Sequence, residues 1–288
     1  MSEAIKITEV FASGQGEGKR IGKPSVFVRV FSCNLRCRGF GMPAGELSDE
    51  AIKLADCLDQ YEKLTDFPLL RTGCDSYLAS YPQFKQFSPA LEFDQLADRI
   101  LDTVPDRNVE FYDLVLTGGE PLIAGTQKKL VKFLKYFEPH LSKMSTLTFE
   151  TNGTQRLTEE MKDYLINECP IPVIFSVSPK LACSGEPNEK THIPQAIADY
   201  NDLCQMNPAK FDMYLKYVVG SEQDIEEVRQ SHQQLNFNDV DRIWLMPCGG
   251  CYEEYTSIMT NIADLTLKYR YRFSPREHVI LYRNQWSK

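Results

Sequence analysis

The feature that most constrains this chain is a repeated alternation of apolar, β-branched runs with stretches of helical periodicity. This alternation predicts βαβ units around a largely parallel sheet, either doubly wound or barrel-like. The predicted strands are residues 25–31, 112–116, 147–150, 173–177, 213–219, 241–246 and 279–282. The predicted helices are residues 93–104, 127–137, 158–167, 194–206, 222–235 and 257–267, and Thr158 is expected to cap the third of them.

One stretch interrupts this rhythm. Residues 39–73 look loop-like, with a helical piece around residues 47–61, and they separate the first predicted strand from the next regular helix. A connection of this length inside a compact domain is usually functional or an insertion.

Composition limits the class of protein. With 288 residues, the chain can form one large α/β domain or two small ones. Apolar residues at 42% and charged residues at 25% exclude a disordered or collagen-like chain and a membrane protein. The net charge of −8 disfavours binding to long nucleic acid, which requires a basic surface. The N-terminal residues lack the apolar core of a signal peptide, so we expect a cytoplasmic protein whose nine cysteines are reduced.

Two cysteines follow the first predicted strand. Cys33 and Cys37 stand in a loop at the end of that strand, where parallel α/β proteins build their sites. Cysteine thiolates at such a position can hold an iron–sulfur cluster, and the alternative is two small buried apolar side chains. The four histidines are not at ligand spacing, which disfavours an imidazole-based zinc site.

Three further polar motifs follow predicted strands. They are Thr117-Gly118-Gly119-Glu120-Pro121, Glu150-Thr151-Asn152-Gly153-Thr154 and Ser176-Val177-Ser178-Pro179-Lys180. The glycines allow close approach of a ligand to the backbone, and Glu120 could accept hydrogen bonds from a cationic amine. Each motif alone could be an ordinary turn, but together they predict one site at the carboxyl edge of the sheet.

The glycine-rich run Gly14-Gln15-Gly16-Glu17-Gly18 is not a dinucleotide-binding loop. It precedes a predicted strand and opens no helix that could hold a pyrophosphate. It instead begins a series of motifs: Gln15-Gly16-Glu17-Gly18, Phe27-Val28-Arg29, Cys33-Asn34-Leu35-Arg36-Cys37, the three strand-end motifs, Leu215-Lys216-Tyr217-Val218, Leu245-Met246-Pro247 and Ser274-Pro275-Arg276-Glu277-His278. In this order the series resembles the 7-carboxy-7-deazaguanine synthase family of radical S-adenosylmethionine (SAM) enzymes.

The chain departs from that family inside the cysteine motif. The compact family pattern is Cys-x3-Cys-x2-Cys, but the third position here is Phe40, which cannot bind iron. The family's third cysteine is followed by Asp and then Thr or Ser, and this run occurs here as Cys74-Asp75-Ser76. We therefore expect Cys74 to be the third ligand. Cys57 is the alternative, although its helix-like surroundings favour packing.

The resemblance implies a fold, a reaction and cofactors. It implies a partial (β/α) barrel of the radical SAM type, formed by a single domain over residues 1–288, with residues 39–73 inserted after the first barrel strand. It implies conversion of 6-carboxy-5,6,7,8-tetrahydropterin to 7-carboxy-7-deazaguanine with a [4Fe-4S] cluster, SAM and Mg²⁺. Three cysteines leave one iron free to bind SAM, whose reductive cleavage yields the radical that takes hydrogen from the substrate, so no further catalytic side chain is expected.

The resemblance also implies individual roles, carried over by motif position. The cluster ligands would be Cys33, Cys37 and Cys74, and Ser76 would bind Mg²⁺. The SAM contacts would be Gly73, Cys74, Asp75, Gly119, Glu120, Ser178, Pro179 and Lys180. The substrate contacts would be Gly14, Gln15, Gly16, Glu17, Arg29, Thr117 and His278. A buried ion pair is the structural alternative for Arg29, and ordinary packing is the alternative for His278.

The implied partners are a pterin substrate, a reductant such as flavodoxin or ferredoxin, and a second copy of the chain in a homodimer, with no nucleic acid and no membrane. Two other functions stay open on the sequence alone. One is an activase that makes a glycyl radical on a partner protein, and the other is a non-catalytic relative with a degenerate cluster site. Cys248 and Cys251 form a Cys-x2-Cys pair outside the family pattern, and they read best as unrelated thiols.

Overall fold

The computed structural model describes residues 3–287. Its strands form one sheet in the order β3-β1-β2-β4-β5-β6-β7-β8-β9. The strands are β1 (Ile5–Gly14), β2 (Pro24–Val30), β3 (Ala90–Leu91), β4 (Asp113–Gly118), β5 (Leu147–Thr151), β6 (Val173–Val177), β7 (Phe211–Val219), β8 (Ile243–Pro247) and β9 (Arg272–Phe273). From β2 to β9 every neighbouring pair is parallel, whereas β1 pairs antiparallel with β2 and β3. The predicted α/β fold is confirmed, and the unclosed sheet has the form of a partial (β/α) barrel.

Helices lie between the strands and after the last one. They are α1 (Glu50–Ala55), α2 (Tyr77–Ser80), α3 (Phe93–Asp102), α4 (Ala124–Tyr136), α5 (Glu138–Leu141), α6 (Glu159–Asp163), α7 (Asn188–Thr191), α8 (Pro194–Met206), α9 (Glu222–Gln234), α10 (Tyr252–Tyr269) and α11 (Glu277–Tyr282). The helices whose apolar sides join the main core, α3–α6 and α8–α10, cover one face of the sheet, whereas α1 and α2 pack in a second core and α11 follows the last strand. A π-helical turn, Tyr164–Glu168, extends α6. The predicted cap is present, because the Thr158 side chain accepts a hydrogen bond from the Met161 amide at the start of α6.

Strand register separates an apolar face from a polar one. Val28, Leu116, Phe149, Phe175 and Met213 lie side by side across β2 and β4–β7, and all five belong to the main core under the helices. Because successive side chains on a strand point to opposite faces, their neighbours point into the barrel. Those inward side chains include Arg29, Thr117, Glu150, Ser176 and Lys216.

Six of the seven predicted strands are present, but the seventh prediction is wrong. Residues 279–282 belong to the helix α11, not to a strand. In α11 only Val279 is buried, and Ile280, Leu281 and Tyr282 are exposed, so the apolar run does not represent a buried strand. The strand β1 was not predicted, because charged Lys6 and Glu9 interrupt its apolar pattern. The charge of Glu9 is paired with Arg29, which lets it lie in the sheet.

The predicted insertion, residues 39–73, shares a small second core with residues 77–87, which follow it. Its predicted helical piece is present as α1 and a 3₁₀ turn, Leu58–Gln60. Phe67 is the centre of this core, stacking on Tyr61 at 4.0 Å and meeting Phe84 and Phe87 edge-on. The indole of Trp286 donates to the Phe67 carbonyl at 2.7 Å and so ties the C-terminal segment to the insertion.

Within residues 3–287, none of the helices combines the length and the apolar character that crossing a lipid bilayer would require.

Candidate functional site

A cavity of about 230 Å³ opens at the carboxyl ends of the parallel strands. This is the edge at which parallel α/β folds collect functional side chains. All of the predicted substrate contacts line it, as do Cys33, Cys37 and Ser76. Of the predicted SAM contacts, the cavity is lined by Gly73, Cys74, Asp75, Gly119, Ser178 and Lys180.

Glu120 lies behind the cavity wall. Its side chain is fully buried, and its carboxylate accepts hydrogen bonds from the Leu122 amide, the Thr151 hydroxyl and the Asn152 amide at 2.7–2.9 Å. Burial raises the pKa of this carboxyl. The structure therefore places Glu120 as a support of the strand-end loop that carries Asn152. Pro179 likewise stands outside the cavity lining, between Ser178 and Lys180, which belong to it.

The three predicted cluster ligands, Cys33, Cys37 and Cys74, reach the cavity from two separate parts of the chain. Cys33 and Cys37 stand in the loop after β2, where Cys37 adopts a left-handed backbone with φ of 50°. Cys74 follows the insertion and lies close enough to both for like-charge interaction between the thiolates. Burial raises the pKa of each thiol, and burial together with the Asp75 carboxylate raises that of Cys74 to about 12. Iron binding would have to deprotonate them, as metals do to coordinating thiols.

The chain returns to the cavity because the two ends of residues 39–73 are hydrogen-bonded to each other, and we call this closure the neck. The Gly73 amide donates to the carbonyl of Phe40 at 2.7 Å, so the two ends of the excursion meet directly before Cys74. Next to this neck, Thr72 donates to the Glu50 carboxylate at 2.6 Å. Phe40 itself lines the cavity with its ring 6.0 Å from the Lys180 ammonium. At the sequence position where the compact family pattern has its third cysteine, this chain therefore has an aromatic ring that lines the cavity.

Cys57 is placed differently. Its thiol contacts the carbonyls of Lys53 and Leu54 in the insertion at 3.5 Å, and it is outside the cavity lining. Cys248 and Cys251 also diverge. Cys248 lines the cavity, whereas Cys251 points toward the carbonyls of Leu69 and Leu70.

Cys33, Cys37 and Cys74 fit a cluster better than a single ion. In the described part of the chain, no three His, Cys, Asp or Glu side chains are gathered tightly enough around one point to hold one metal ion. A four-iron cluster needs a wider arrangement, because each thiolate binds a different iron. Cys248 also lines the cavity, but the charged groups that act on it are Arg276, Asp75 and Asp224 and not the other three thiols. With Cys33, Cys37 and Cys74 as its ligands, such a cluster would keep one corner open.

The double-glycine turn packs β4 against the cysteine loop. Gly118 has φ of 127°, and a Cβ there would lie 2.2 Å from the carbonyl oxygen of Val30. A Cβ at Gly119 would lie 2.1 Å from the carbonyl oxygen of Ser32. The Glu120 amide donates to that same oxygen at 2.8 Å. Both positions therefore require glycine for close backbone approach directly before Cys33.

Charged side chains form a buried network in the cavity wall. Glu17 accepts a hydrogen bond from Lys216 and pairs with Arg276 at 3.1 Å. Arg276 also pairs with Asp75 at 2.7 Å. Burial alone would raise the pKa of Glu17, but Lys216 and Arg276 outweigh burial and hold it well below its ordinary value. The carboxylate is therefore ionised while buried.

Two other predicted contacts have protein partners. Arg29 pairs with Glu9 at 3.2 Å and donates to the Ser76 hydroxyl at 3.0 Å, so the ion pair exists and the guanidinium also lines the cavity. His278 stands 4.0 Å from Glu17. Burial, and then the charge of Arg276, lower the pKa of His278 to about 4, which leaves its imidazole neutral at pH 7.

Three cavity residues received no role from sequence reasoning. Lys216 and Arg276 stand in motifs that the family resemblance already included, and Lys216 is a charge inside an apolar strand, which is a usable signal. Glu150 accepts hydrogen bonds from Gln15 at 3.2 Å and Thr117 at 2.8 Å. Its position at the end of a predicted strand pointed to the site edge but not to these partners.

Comparison with known proteins identifies the family. A family model described as a 4Fe-4S single cluster domain matches residues 14–192. A 7-carboxy-7-deazaguanine synthase of Methanospirillum hungatei is 46% identical over 234 residues, covering 80% of this chain and 69% of that protein. The synthase of Halobacterium salinarum is 29% identical over 294 residues, covering 97% of this chain and 91% of that protein.

A solved structure agrees with the fold. The crystal structure of QueE from Escherichia coli matches with a TM-score of 0.53 at 21% identity, over 96% of this chain and 95% of that one. This likeness confirms the architecture of the sheet and its helices. Together, the matched cluster domain, the relatives and the cavity lined by Cys33, Cys37 and Cys74 show that this chain belongs to the 7-carboxy-7-deazaguanine synthase family, enzymes of the radical SAM class that use a [4Fe-4S] cluster and SAM.

Proposed function

We propose that this enzyme converts 6-carboxy-5,6,7,8-tetrahydropterin to 7-carboxy-7-deazaguanine, with ring contraction and loss of ammonia. The observation that carries this proposal is the position of Cys74. After the insertion, its thiol returns to the cavity that Cys33 and Cys37 line, and the same cavity carries the polar side chains expected to bind a pterin. The relatives that share this chain's length carry the name of this activity.

Cys33, Cys37 and Cys74 are the proposed cluster ligands. When bound, the cluster supplies one electron to SAM, and SAM supplies the group that removes a hydrogen atom from the substrate. The protein's part is to hold these groups and exclude water. Gly73, Asp75 and Gly119 line the cavity and would offer backbone and carboxylate oxygens to SAM, and the Lys180 ammonium donates to the Ser178 hydroxyl at 2.9 Å. Glu120 and Pro179 would act on SAM by shaping the loops behind it.

The part of the cavity wall that carries Gln15 and Glu17 is the proposed pterin site. Gln15 and Glu17 offer amide and carboxylate groups that complement the donors and acceptors of a pterin edge. Thr117 and the backbone of Gly14 and Gly16 border the same space. A neutral His278 can accept or donate a hydrogen bond there without adding charge.

Arg29 and Ser76 form the proposed carboxylate end of this site. The guanidinium can pair with a substrate carboxylate, and the Ser76 hydroxyl is a hard oxygen of the kind Mg²⁺ accepts. Ser76 donates to Asp75 at 3.3 Å and accepts from Arg29 at 3.0 Å. A magnesium ion beside Arg29 requires anionic oxygens around it, and the substrate carboxylate with Asp75 would supply them.

The rival functions have less support. An activase of a glycyl-radical partner would not need the pterin-type wall of Gln15 and Glu17, and the relatives carry no such name. A non-catalytic relative would not be expected to keep three thiols around one cavity.

The remaining expectations belong to this proposal. A flavodoxin- or ferredoxin-type reductant would supply the electron, and two copies of the chain would associate as a homodimer. All nine cysteines lie in the described residues and are free thiols, which favours a reducing compartment such as the cytoplasm. Residues 39–73 are proposed to be an insertion in one radical SAM domain that covers 1–288.

Anaerobic incubation of the reconstituted enzyme with SAM, dithionite and the carboxypterin tests the proposal. We expect formation of 7-carboxy-7-deazaguanine, detected by mass spectrometry, with SAM recovered intact. An enzyme that holds a full cluster and cleaves SAM without forming this product would contradict the proposed substrate.

A further inference from the structure

A short turn after β6 is hydrogen-bonded to the cysteine loop, the segment after β2 that carries Cys33 and Cys37. The amides of Arg36 and Cys37 both donate to one carboxylate oxygen of Glu186, the Cys37 bond being 2.8 Å long. The Gly39 amide donates to the carbonyl of Ser184 at 2.8 Å. We name residues 184–186 the clasp.

The clasp packs so closely against the cysteine loop that a side chain at Gly39 or Gly185 would clash with its neighbours. A Cβ on Gly39 would lie 2.5 Å from the amide nitrogen of Gly185 and 2.7 Å from the carbonyl oxygen of Cys183. Gly185 has φ of 75°, and its own Cβ would lie 2.6 Å from a methyl group of Leu47 in the insertion. The clasp is therefore the point at which the cysteine loop, the insertion and the turn after β6 meet.

Glu186 does two things at this point. It fixes the peptide groups at Arg36 and Cys37, including the left-handed backbone of Cys37, which is otherwise unfavourable for a residue with a Cβ. It also places a carboxylate beside one of the three thiols and occupies two amides that could otherwise turn toward cluster sulfur. Net charge and hydrogen bonds to sulfur are among the main determinants of cluster reduction potential.

We propose that Glu186 is a positioning residue for the cluster, which holds the Cys33–Cys37 loop in shape and lowers the cluster's reduction potential. This inference rests on the proposed assignment of Cys33, Cys37 and Cys74 as ligands. A fixed negative charge disfavours the added electron. Lys180 acts on Cys37 in the opposite direction and more strongly, but it is present with or without the Glu186 charge, so removing that charge should still raise the potential.

The test is a redox titration of the reconstituted enzyme, followed by the electron paramagnetic resonance signal of the reduced cluster. Glu186→Gln keeps an oxygen that can accept both amide bonds but removes the charge. We expect the ratio of reduced to oxidised cluster to rise about tenfold at a fixed ambient potential, equivalent to about 59 mV for a one-electron couple. Glu189→Gln is the matched control, because Glu189 is an exposed carboxylate on the same stretch of chain, and it should leave the potential unchanged.

A Glu186→Gln enzyme with a full cluster and the wild-type potential would overturn the inference, as would an equal shift in Glu189→Gln. If Glu186→Gln does not fold, Glu186→Asp replaces it. The shorter carboxylate should keep the wild-type potential but release iron faster under a chelator, and an unchanged rate of release would contradict the positioning role. If wild type itself holds no cluster, the ligand assignment fails instead.

Discussion

At the scale of single residues, the cavity wall contains buried ionised side chains, and each needs a partner of opposite charge. Glu17, Lys216 and Arg276 are mostly or fully buried, and Glu17 lies between the two cations. Buried ions of one sign are tolerated only with partners, because the protein interior does not replace their hydration. The network therefore couples the stability of the fold to the shape of the substrate site.

Replacing Glu17 should reveal this coupling. Glu17→Gln leaves Lys216 without its partner carboxylate, so we expect a loss of about 3 kcal/mol in the free energy of unfolding, measured by urea denaturation. The double variant Glu17→Gln with Lys216→Met should recover part of that loss, because both buried charges are then gone. A double variant with the summed loss of the two single variants would contradict the pairing.

His278 gives the site a predictable response to acid. Its pKa in the folded protein is about 4, below the ordinary value of 6.5, so the unfolded chain takes up the proton first as the pH falls. The neutral state stabilises the fold fully above pH 6.5, and this contribution is lost between pH 6.5 and about pH 4. Between pH 7 and pH 5, wild type should lose about 2 kcal/mol more stability than His278→Gln, by urea denaturation at each pH. Equal losses would show that His278 is not held neutral.

At the scale of elements, residues 39–73 and the following residues 77–87 share a small second core, and residues 39–73 close at a neck beside Cys74. Phe67 organises that core, and the insertion contributes Phe40 and Arg71 to the cavity wall. Its helical piece could be predicted from local periodicity. Its attachment could not, because the bond between Gly73 and Phe40 and the packing of Trp286 join residues that are far apart in the chain.

Removing the central aromatic ring should loosen the insertion and spare the sheet. Phe67→Ala is expected to cost about 3 kcal/mol and to increase hydrogen exchange in residues 50–72 and 77–87, which share its core, with little change in β4–β8. Phe111→Ala is the matched control, since Phe111 is 74% exposed and should change stability by less than about 0.5 kcal/mol. Equal effects of the two substitutions would contradict a separate core around Phe67.

At the scale of the whole molecule, sequence pattern predicted the architecture because parallel strands align their carboxyl ends. That rule brought motifs from β2, β4, β5 and β6 to one edge, and the cavity is there. The rule does not predict which side chains contact one another inside the cavity. Periodicity therefore missed the charge network of Lys216 and Arg276, and it mistook the apolar run of α11 for a strand, since a short apolar run fits either state.

The central claim is that three distant thiols hold one cluster, and iron content tests it most directly. After anaerobic reconstitution, wild type and Cys57→Ser should each hold about four irons per chain, with the Mössbauer spectrum of a [4Fe-4S] cluster. Cys74→Ser should hold far less iron and cleave no SAM. A Cys74→Ser protein that keeps its four irons, alongside a Cys57→Ser protein that loses them, would contradict the account.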